Sequence, residues 1–218
     1  MKSATGLTFE LLKSGYDPSQ IAVKLALRKA LEGCQSVLDV GCGAAPTMRQ
    51  LGVPRSVGFE GYQPSIDLAK KLNTHDEMIK GDLRDLNAQF QPKQFDAVIA
   101  MDVIEHVVKE DGLQLMKDME RIATKRVVLF TPCGFLPQRQ AANDDLQAHL
   151  SGWEPDEMRG YGYKVVGLLG PKSLRGEYHS IKGRPRVFWG MVSWLGHVFS
   201  TKNHPENAAA ILCVKTLS

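Results

Sequence analysis

The sequence predicts an α/β fold built on a mostly parallel sheet. Short apolar runs that fit buried strands alternate along the chain with segments of helical periodicity. Acidic residues stand at or just beyond the ends of several of these runs, and a glycine-rich turn follows the first. Ligands bind open α/β sheets at the carboxyl ends of the strands. The pattern therefore also predicts one shared ligand site along that edge.

The first strand and its turn lie in residues 37–46, V-L-D-V-G-C-G-A-A-P, and a helix should follow them. Gly41 and Gly43 let a ligand approach the backbone closely, because they have no side chain to block it. Asp39 sits inside the strand end, before the first glycine. A nicotinamide or flavin site normally has its acid at the end of the next strand and closes G-x-G-x-x-G with a small residue. Pro46 occupies that closing position and disfavours such a site.

Three more strands with polar ends follow in order. Residues 56–60 end in Glu60, whose carboxylate can accept two hydrogen bonds from ribose hydroxyls. Residues 79–83 are predicted to be a short strand with an acid at its tip. Residues 95–101 form an apolar run long enough for a central strand, and they open into D-V-I-E-H-V at 102–107.

The remaining elements follow from the same periodicities. A helix is predicted before the first strand, with Gly33 as its C-cap. Apolar spacing predicts helices over 17–32, 64–71 and 109–123, and strands over 126–132, 163–169 and 209–214.

The turn, read as D-x-G-x-G-x-A, and the E-H-V turn after the fourth strand resemble the class I S-adenosylmethionine (SAM) methyltransferases of small molecules. The resemblance extends to the methyltransferase 11/23-like and ubiquinone-biosynthesis O-methyltransferase groups, with Ala45 in place of the commoner third glycine. It implies a Rossmann-like, seven-stranded, mostly parallel sheet flanked by helices, with the last strand antiparallel. It also implies one domain, divided into a helical cap (1–33), a SAM-binding core (34–135), and acceptor-pocket segments with the final strands (136–218).

The resemblance further implies that SAM is the cofactor. The two glycines would admit its methionine portion, Asp39 would orient the amino group, Glu60 would hold the ribose, and Asp82 would cap the adenine. The predicted cofactor-binding residues are Asp39, Gly41, Cys42, Gly43, Glu60, Gly61, Asp82, Leu83, Met101 and Asp102.

Two histidines are candidates for the base that a weakly acidic acceptor hydroxyl requires. His106 follows the fourth strand, and His149 lies in Q-A-H-L-S-G-W (147–153), in the segment that usually helps to form the acceptor pocket. Each has a plainer alternative. His106 could pack against the cofactor or a helix, and His149 with Trp153 could fix the loop onto the core.

Several classes of function are disfavoured. The fourth strand lacks the N-P-P-Y or D-P-P-Y string that supplies a platform for a flipped nucleobase. The net charge of +3 is too small for a dedicated nucleic-acid binder. Asp82, Asp102 and Glu105 supply carboxylates, but they have no recognisable ligand spacing, so we expect no metal.

The cysteines and the chain start indicate the compartment. No apolar run is long enough to span a bilayer, and the first residues lack the apolar core of a signal peptide, so a cytoplasmic location is expected. Cys34, Cys42, Cys133 and Cys213 have no C-x-x-C spacing and are expected to be buried thiols.

A basic cluster precedes an apolar segment in the last third of the chain. The segment, residues 187–199, contains two tryptophans. It could contact anionic lipid or a second copy of the chain, or it could be a linking helix packed on the sheet beside a solvated loop. Arg175 and Arg184 could instead bind an anionic group of the acceptor. The cluster consists of Lys172, Arg175, Lys182, Arg184 and Arg186.

Together these observations predict SAM-dependent methyl transfer to a small molecule at oxygen, with release of S-adenosylhomocysteine. Transfer to nitrogen, to a carboxylate, or to a glycan or lipid-linked acceptor stays open. A non-catalytic partner subunit would not need the acids and glycines, and an NAD-dependent enzyme is disfavoured by Asp39 and Pro46.

Overall fold

The computed structural model describes residues 17–45, 47–137, 148–176 and 179–217. A single seven-stranded sheet runs through the chain from the first described strand to the last. The strands are β1 (Ser36–Val40), β2 (Arg55–Glu60), β3 (Glu77–Lys80), β4 (Phe95–Met101), β5 (Ala123–Pro132), β6 (Lys164–Pro171) and β7 (Ala208–Thr216).

The strand order is β3-β2-β1-β4-β5-β7-β6. Neighbouring pairs from β3 to β5 are parallel, whereas β7 is antiparallel to both β5 and β6. The last strand in sequence is therefore the antiparallel one, which confirms the predicted fold class.

Helices flank this sheet close to the positions that apolar spacing predicts. The first described helix covers Ser19–Ala30, within the predicted 17–32. The third predicted strand is shorter than expected, because it ends at Lys80 and leaves Asp82 in the following loop. The helices are α1 (Ser19–Ala30), α2 (Thr47–Leu51), α3 (Gln63–Leu72), α4 (Leu86–Gln89), α5 (Lys109–Ile122), α6 (Pro155–Gly160) and α7 (Arg186–Gly196).

Apolar side chains cover both faces of the sheet, because successive residues of a strand point to opposite sides. In β1, Leu38 and Val40 join a buried cluster with Trp153, and Val37 joins a second cluster on the other face with Leu27 of α1. The two clusters hold the strands rigidly, so the loops at their carboxyl ends have a fixed base.

The apolar helix predicted near the C-terminus is α7, and it links β6 to β7. Its inner face packs closely, since a Cβ on Gly190 would lie 3.0 Å from Cδ of Pro18. Its outer face presents exposed large side chains that continue into the next turn, namely Phe188, Met191, Trp194, Leu195, Val198 and Phe199. No helix of the described residues has the length and apolar character needed to cross a membrane.

Arg175 is buried, which corrects the expectation that it lies in a solvated loop or binds an anionic acceptor. Its guanidinium forms an ion pair with Asp17, with 2.7 Å between Nη1 and Oδ2. The same group donates hydrogen bonds to Ser19, Ser193 and the carbonyls of Leu169 and His179. These protein partners occupy the guanidinium, which ties the start of α1 to β6 and α7.

Candidate active site

A cleft of about 970 Å³ opens at the carboxyl ends of the first four strands. This is the edge at which the acids and glycines were predicted to meet. Seven of the ten predicted cofactor-binding residues line it, together with both candidate histidines. The seven are Gly41, Gly43, Glu60, Gly61, Asp82, Leu83 and Asp102.

The turn after β1 requires glycine at two positions. Gly41 and Gly43 have φ angles of +65° and +56°, a region that other residues rarely adopt. A Cβ on Gly41 would lie 2.7 Å from Cγ2 of Val103, whereas a Cβ on Gly43 would meet no atom within 4 Å. The backbone at Gly43 therefore faces open space in the cleft.

Glu60 bridges the turns that follow β1 and β2. One carboxylate oxygen accepts a hydrogen bond from the amide of Gly43 at 2.8 Å, and the other accepts one from the amide of Tyr62 at 2.8 Å. A carboxylate offers about four acceptor sites, so two remain for a ligand. The side chain is thus fixed in orientation and still able to receive two hydroxyl groups.

Asp82 lies on the cleft beside an arginine that the sequence analysis did not identify. Its carboxylate accepts hydrogen bonds from the amide and the guanidinium of Arg84, at 2.9 Å from the amide and 2.6 Å from Nη2. These bonds lower the pKa of Asp82 to about 2. The side chain therefore stays ionised and also caps the short 3₁₀ helix Leu83–Asp85.

Three predicted cofactor residues do not line the cleft, namely Asp39, Cys42 and Met101. Asp39 is buried behind the glycine turn, where Oδ2 lies 3.1 Å from Nε2 of His75. Burial raises the pKa of Asp39, and His75 opposes that shift. The other oxygen of Asp39 has no partner among the described residues. Pro46 lies outside the described residues.

The second half of the cleft is built around Asp102, which follows β4 directly. It adopts φ +52°, and its partner His179 adopts φ +54°, both rare for residues other than glycine. Nε2 of His179 lies 3.1 Å from Oδ1 of Asp102. No pattern in the sequence linked these two residues, which are 77 positions apart.

Glu105 is a buried carboxyl in the same half and was not among the predicted site residues. Thr131 donates a hydrogen bond to it, with 2.9 Å between Oγ1 and Oε2. Burial raises the pKa of Glu105, and the hydrogen-bonded carboxyl of Asp102 raises it further. Among the described residues, no lysine or arginine forms an ion pair with it.

The two candidate histidines meet beside Glu105. Their rings are arranged edge to face with centroids 4.8 Å apart. Nδ1 of His106 lies 3.2 Å from the carbonyl oxygen of Ala148, and Nδ1 of His149 lies 2.6 Å from that of Leu136. A carbonyl only accepts, so Nδ1 carries the proton in both rings and the lone pair is on Nε2. Burial also lowers the pKa of His149, which favours the neutral ring.

Residues 148–153 form the strip that carries His149, and backbone hydrogen bonds join this strip to the turn that carries Glu105. The amides of Leu150 and Ser151 donate to the carbonyl of Glu105 at 2.7 and 3.1 Å. Below them, the indole of Trp153 is fully buried and donates to the carbonyl of Ile104 at 3.2 Å. Trp153 thus fixes the loop onto the core, which was the plainer alternative for this segment. The same contacts hold His149 at the cleft. Gln147, the first residue of the predicted motif, lies outside the described residues.

The first half of the cleft, formed by the turns that follow β1, β2 and β3, fits SAM. The open glycine turn leaves room for its methionine portion, and the free acceptor sites of Glu60 match the two hydroxyls of a ribose. The cleft lies at the upper end of the range of about 300–1,000 Å³ found for ligand pockets, which leaves room for a second small molecule.

Comparison with known proteins gives a family-model match over part of the chain and a fold. Residues 38–131 match the family model described as a methyltransferase domain. No functionally curated protein matches the sequence. Solved structures of similar fold include a SAM-dependent methyltransferase of Archaeoglobus fulgidus, with a TM-score of 0.59, 15% identity, and coverage of 96% of this chain and 99% of that one.

Two other structures are similar over most of their length. The PH0226 protein of Pyrococcus horikoshii has a TM-score of 0.57 at 17% identity, covering 92% of this chain and 90% of that one. A Haloferax volcanii methyltransferase, solved in complex with the Trm112 activator, has a TM-score of 0.54 at 15% identity, covering 87% of each chain. With the glycine turn, the carboxylates and the cleft in place, residues 38–131 match a methyltransferase domain, and the chain has the fold of SAM-dependent methyltransferases.

Proposed function

We propose that the protein transfers the methyl group of SAM to an oxygen atom of a small-molecule acceptor. One observation carries the proposal. The glycine turn and Glu60 share a single cleft with Glu105, His106 and His149, so a cofactor and a polar acceptor group can meet in it.

The first half of the cleft binds the cofactor in this proposal. Gly43 admits the methionine portion, Glu60 accepts the ribose hydroxyls, and Asp82 with Leu83 frames the adenine. Asp39 acts indirectly, because it is buried behind the turn, where its carboxyl contacts His75 and not the cleft. Bound SAM supplies a methyl group that is electrophilic because it sits on a sulfonium.

The second half orients and activates the acceptor. Nε2 of His149 has its lone pair available to take the hydroxyl proton, and His106 is the second candidate because its ring has the same tautomer. Val107, Leu136 and Leu150 line the cleft around them, and these apolar walls exclude water from the reacting atoms.

A lipid-linked acceptor is a second candidate, favoured by the outer face of α7. Six large apolar side chains are exposed on α7 and the turn after it, and exposed Lys182, Arg184 and Arg186 precede them. Such a surface suits contact with anionic lipid, whereas a second copy would bring two basic surfaces together.

Calorimetric titration of the purified chain with S-adenosylhomocysteine, with NAD as the control ligand, tests the cofactor half. We expect micromolar binding of the first and none of the second. An acceptor screen with labelled SAM then compares the wild type with His149→Gln and with His204→Gln, a change at an exposed histidine outside the cleft. Loss of methyl transfer only in His149→Gln, with intact cofactor binding, supports the proposal. Equal transfer by all three proteins contradicts the role of His149.

A further inference from the structure

We propose that Glu105, His106 and His149 bind a divalent transition-metal ion that activates the acceptor. A carboxylate oxygen of Glu105 and one ring nitrogen of each histidine all lie within 4.8 Å of one another. The inference deepens the proposed function and rests on its methyl transfer to an acceptor hydroxyl. It replaces proton uptake by Nε2 of His149 with coordination of an ion by both histidines. It also departs from the expectation of no metal, which considered carboxylates alone.

The two imidazoles are oriented as metal ligands are. In each ring Nδ1 donates to a backbone carbonyl, of Ala148 for His106 and of Leu136 for His149. Such an outer hydrogen bond fixes the tautomer and the ring direction in metal-binding histidines. It leaves Nε2 of both rings as the donor atom for a cation.

Glu105 supplies the third ligand, and a positive charge nearby would stabilise its carboxylate in this buried position. Its side chain is buried beside the carboxyl of Asp102, and Thr131 is its other hydrogen-bond partner. Buried carboxylates are normally paired or bound to a metal. No lysine or arginine of the described chain pairs with it, so a dication would supply the missing charge.

The ligand set is held rigidly and faces the cleft. The amides of Leu150 and Ser151 bind the carbonyl of Glu105, so the strip with His149 and the turn with His106 keep a fixed separation. All three ligand residues line the cleft, which leaves further coordination positions open to an acceptor.

Two imidazoles and one carboxylate suit first-row divalent ions such as Mn²⁺, Fe²⁺ or Zn²⁺ better than Ca²⁺. The ion would coordinate the acceptor oxygen and lower the pKa of its hydroxyl, whose proton passes to water. The oxygen then forms a bond to the methyl carbon as the carbon–sulfur bond of SAM breaks, which leaves S-adenosylhomocysteine. The histidines hold the ion in this reaction and do not take the proton.

Titration calorimetry with MnCl₂ and with ZnCl₂ on chelator-treated, dialysed protein tests the proposal. We expect one equivalent to bind the wild type, and at least a tenfold weaker affinity in His149→Gln and His106→Gln. His204→Gln is the matched control, because it removes an exposed histidine outside the cleft, and its affinity should equal that of the wild type. Glu105→Gln keeps the side-chain shape and removes the carboxylate, so its affinity should also fall.

Thermal unfolding and S-adenosylhomocysteine affinity are measured on the same samples, so that a folding defect is recognised. Wild-type protein that binds S-adenosylhomocysteine but neither ion overturns the metal site and leaves methyl transfer standing. Equal ion binding by wild type and both histidine variants also overturns it. Ion binding without S-adenosylhomocysteine binding would instead overturn the proposed function, on which this inference rests.

Discussion

Single residues of this protein are constrained by backbone conformation as much as by chemistry. Gly43 and Gly52 are a natural pair for separating the two effects. Both have positive φ, at +56° and +71°, and a Cβ at either would meet no atom within 4 Å. Only Gly43 lines the cleft.

We therefore expect Gly43→Ala and Gly52→Ala to lower Tm by similar amounts, because each forces alanine into the left-handed region at a cost of roughly 1–2 kcal/mol. That corresponds to a few degrees for a chain of this size. Gly43→Ala should in addition weaken S-adenosylhomocysteine binding about tenfold, or about 1.4 kcal/mol, because the methyl group enters the cofactor space. Calorimetry and thermal unfolding of the two variants check this. Equal cofactor affinity in both would mean that Gly43 does not adjoin the ligand.

At the scale of elements, the contact between α5 and the buried indole of Trp153 positions the acceptor half of the cleft. A Cβ added to Gly112, within α5, would lie 2.5 Å from Cζ2 of Trp153. The indole in turn supports the strip that carries His149. Glycine in the first turn of α5 thus admits the ring at the cost of helix propensity.

We expect Gly112→Ala to lower Tm, although alanine in a helix normally gains up to about 1 kcal/mol over glycine. Overpacking against the ring costs roughly 1–3 kcal/mol and outweighs that gain. Gly160→Ala, at the end of α6 with open space around the new Cβ, is the control and should leave Tm unchanged or raise it. A Gly112→Ala protein as stable as the wild type would show that the indole moves aside freely.

For the whole molecule, the outer face of α7 distinguishes a freely diffusing enzyme from one that works at a lipid surface. Phe199 is 82% exposed and Phe188 58% exposed, so neither contributes much to the core. We expect the wild type to sediment with anionic vesicles and not with neutral ones, and the Phe188→Ser/Phe199→Ser double variant to lose this binding without a fall in Tm.

The control for this prediction is Leu72→Ser, which removes from α3 an apolar side chain that is 53% exposed, close to the value for Phe188. It should bind vesicles like the wild type. Vesicle binding that survives in the double variant, or a wild-type dimer that forms without lipid and dissociates in the double variant, would contradict the lipid assignment.

The sequence was most informative where one strand or one turn contains the whole signal. The bounds of β4 and the positive φ of Gly41 and Gly43 follow from local pattern. A run of apolar residues marks the buried strand, and glycine marks a turn that needs positive φ. The third strand was placed too late, since Asp82 caps a 3₁₀ turn instead of ending the strand.

What the sequence could not provide is contact between distant segments. The burial of Arg175 depends on Asp17, 158 positions away, and looked from sequence like part of a solvated basic loop. Likewise Glu105 and His149 come together only because backbone hydrogen bonds join their segments. Periodicity and spacing carry no information about such pairings. The sequence indicated His106 and His149 as candidates, but their contact with each other and with Glu105 became visible only in three dimensions.

The ion pair of Arg175 with Asp17 sets a limit on how far the protein can be trimmed. The family match begins at residue 38, but a fragment cut to that boundary would leave the guanidinium inside the molecule without its carboxylate. An uncompensated buried charge costs roughly 3–5 kcal/mol, a large share of the stability of a typical domain. The effect of the truncation would extend to the cleft, because Arg175 also donates a hydrogen bond to the carbonyl of His179. The ring of His179 in turn contacts Asp102 in the cleft. A shortened enzyme that keeps every glycine and acid of the cofactor turn would therefore still lose the shape of its acceptor pocket.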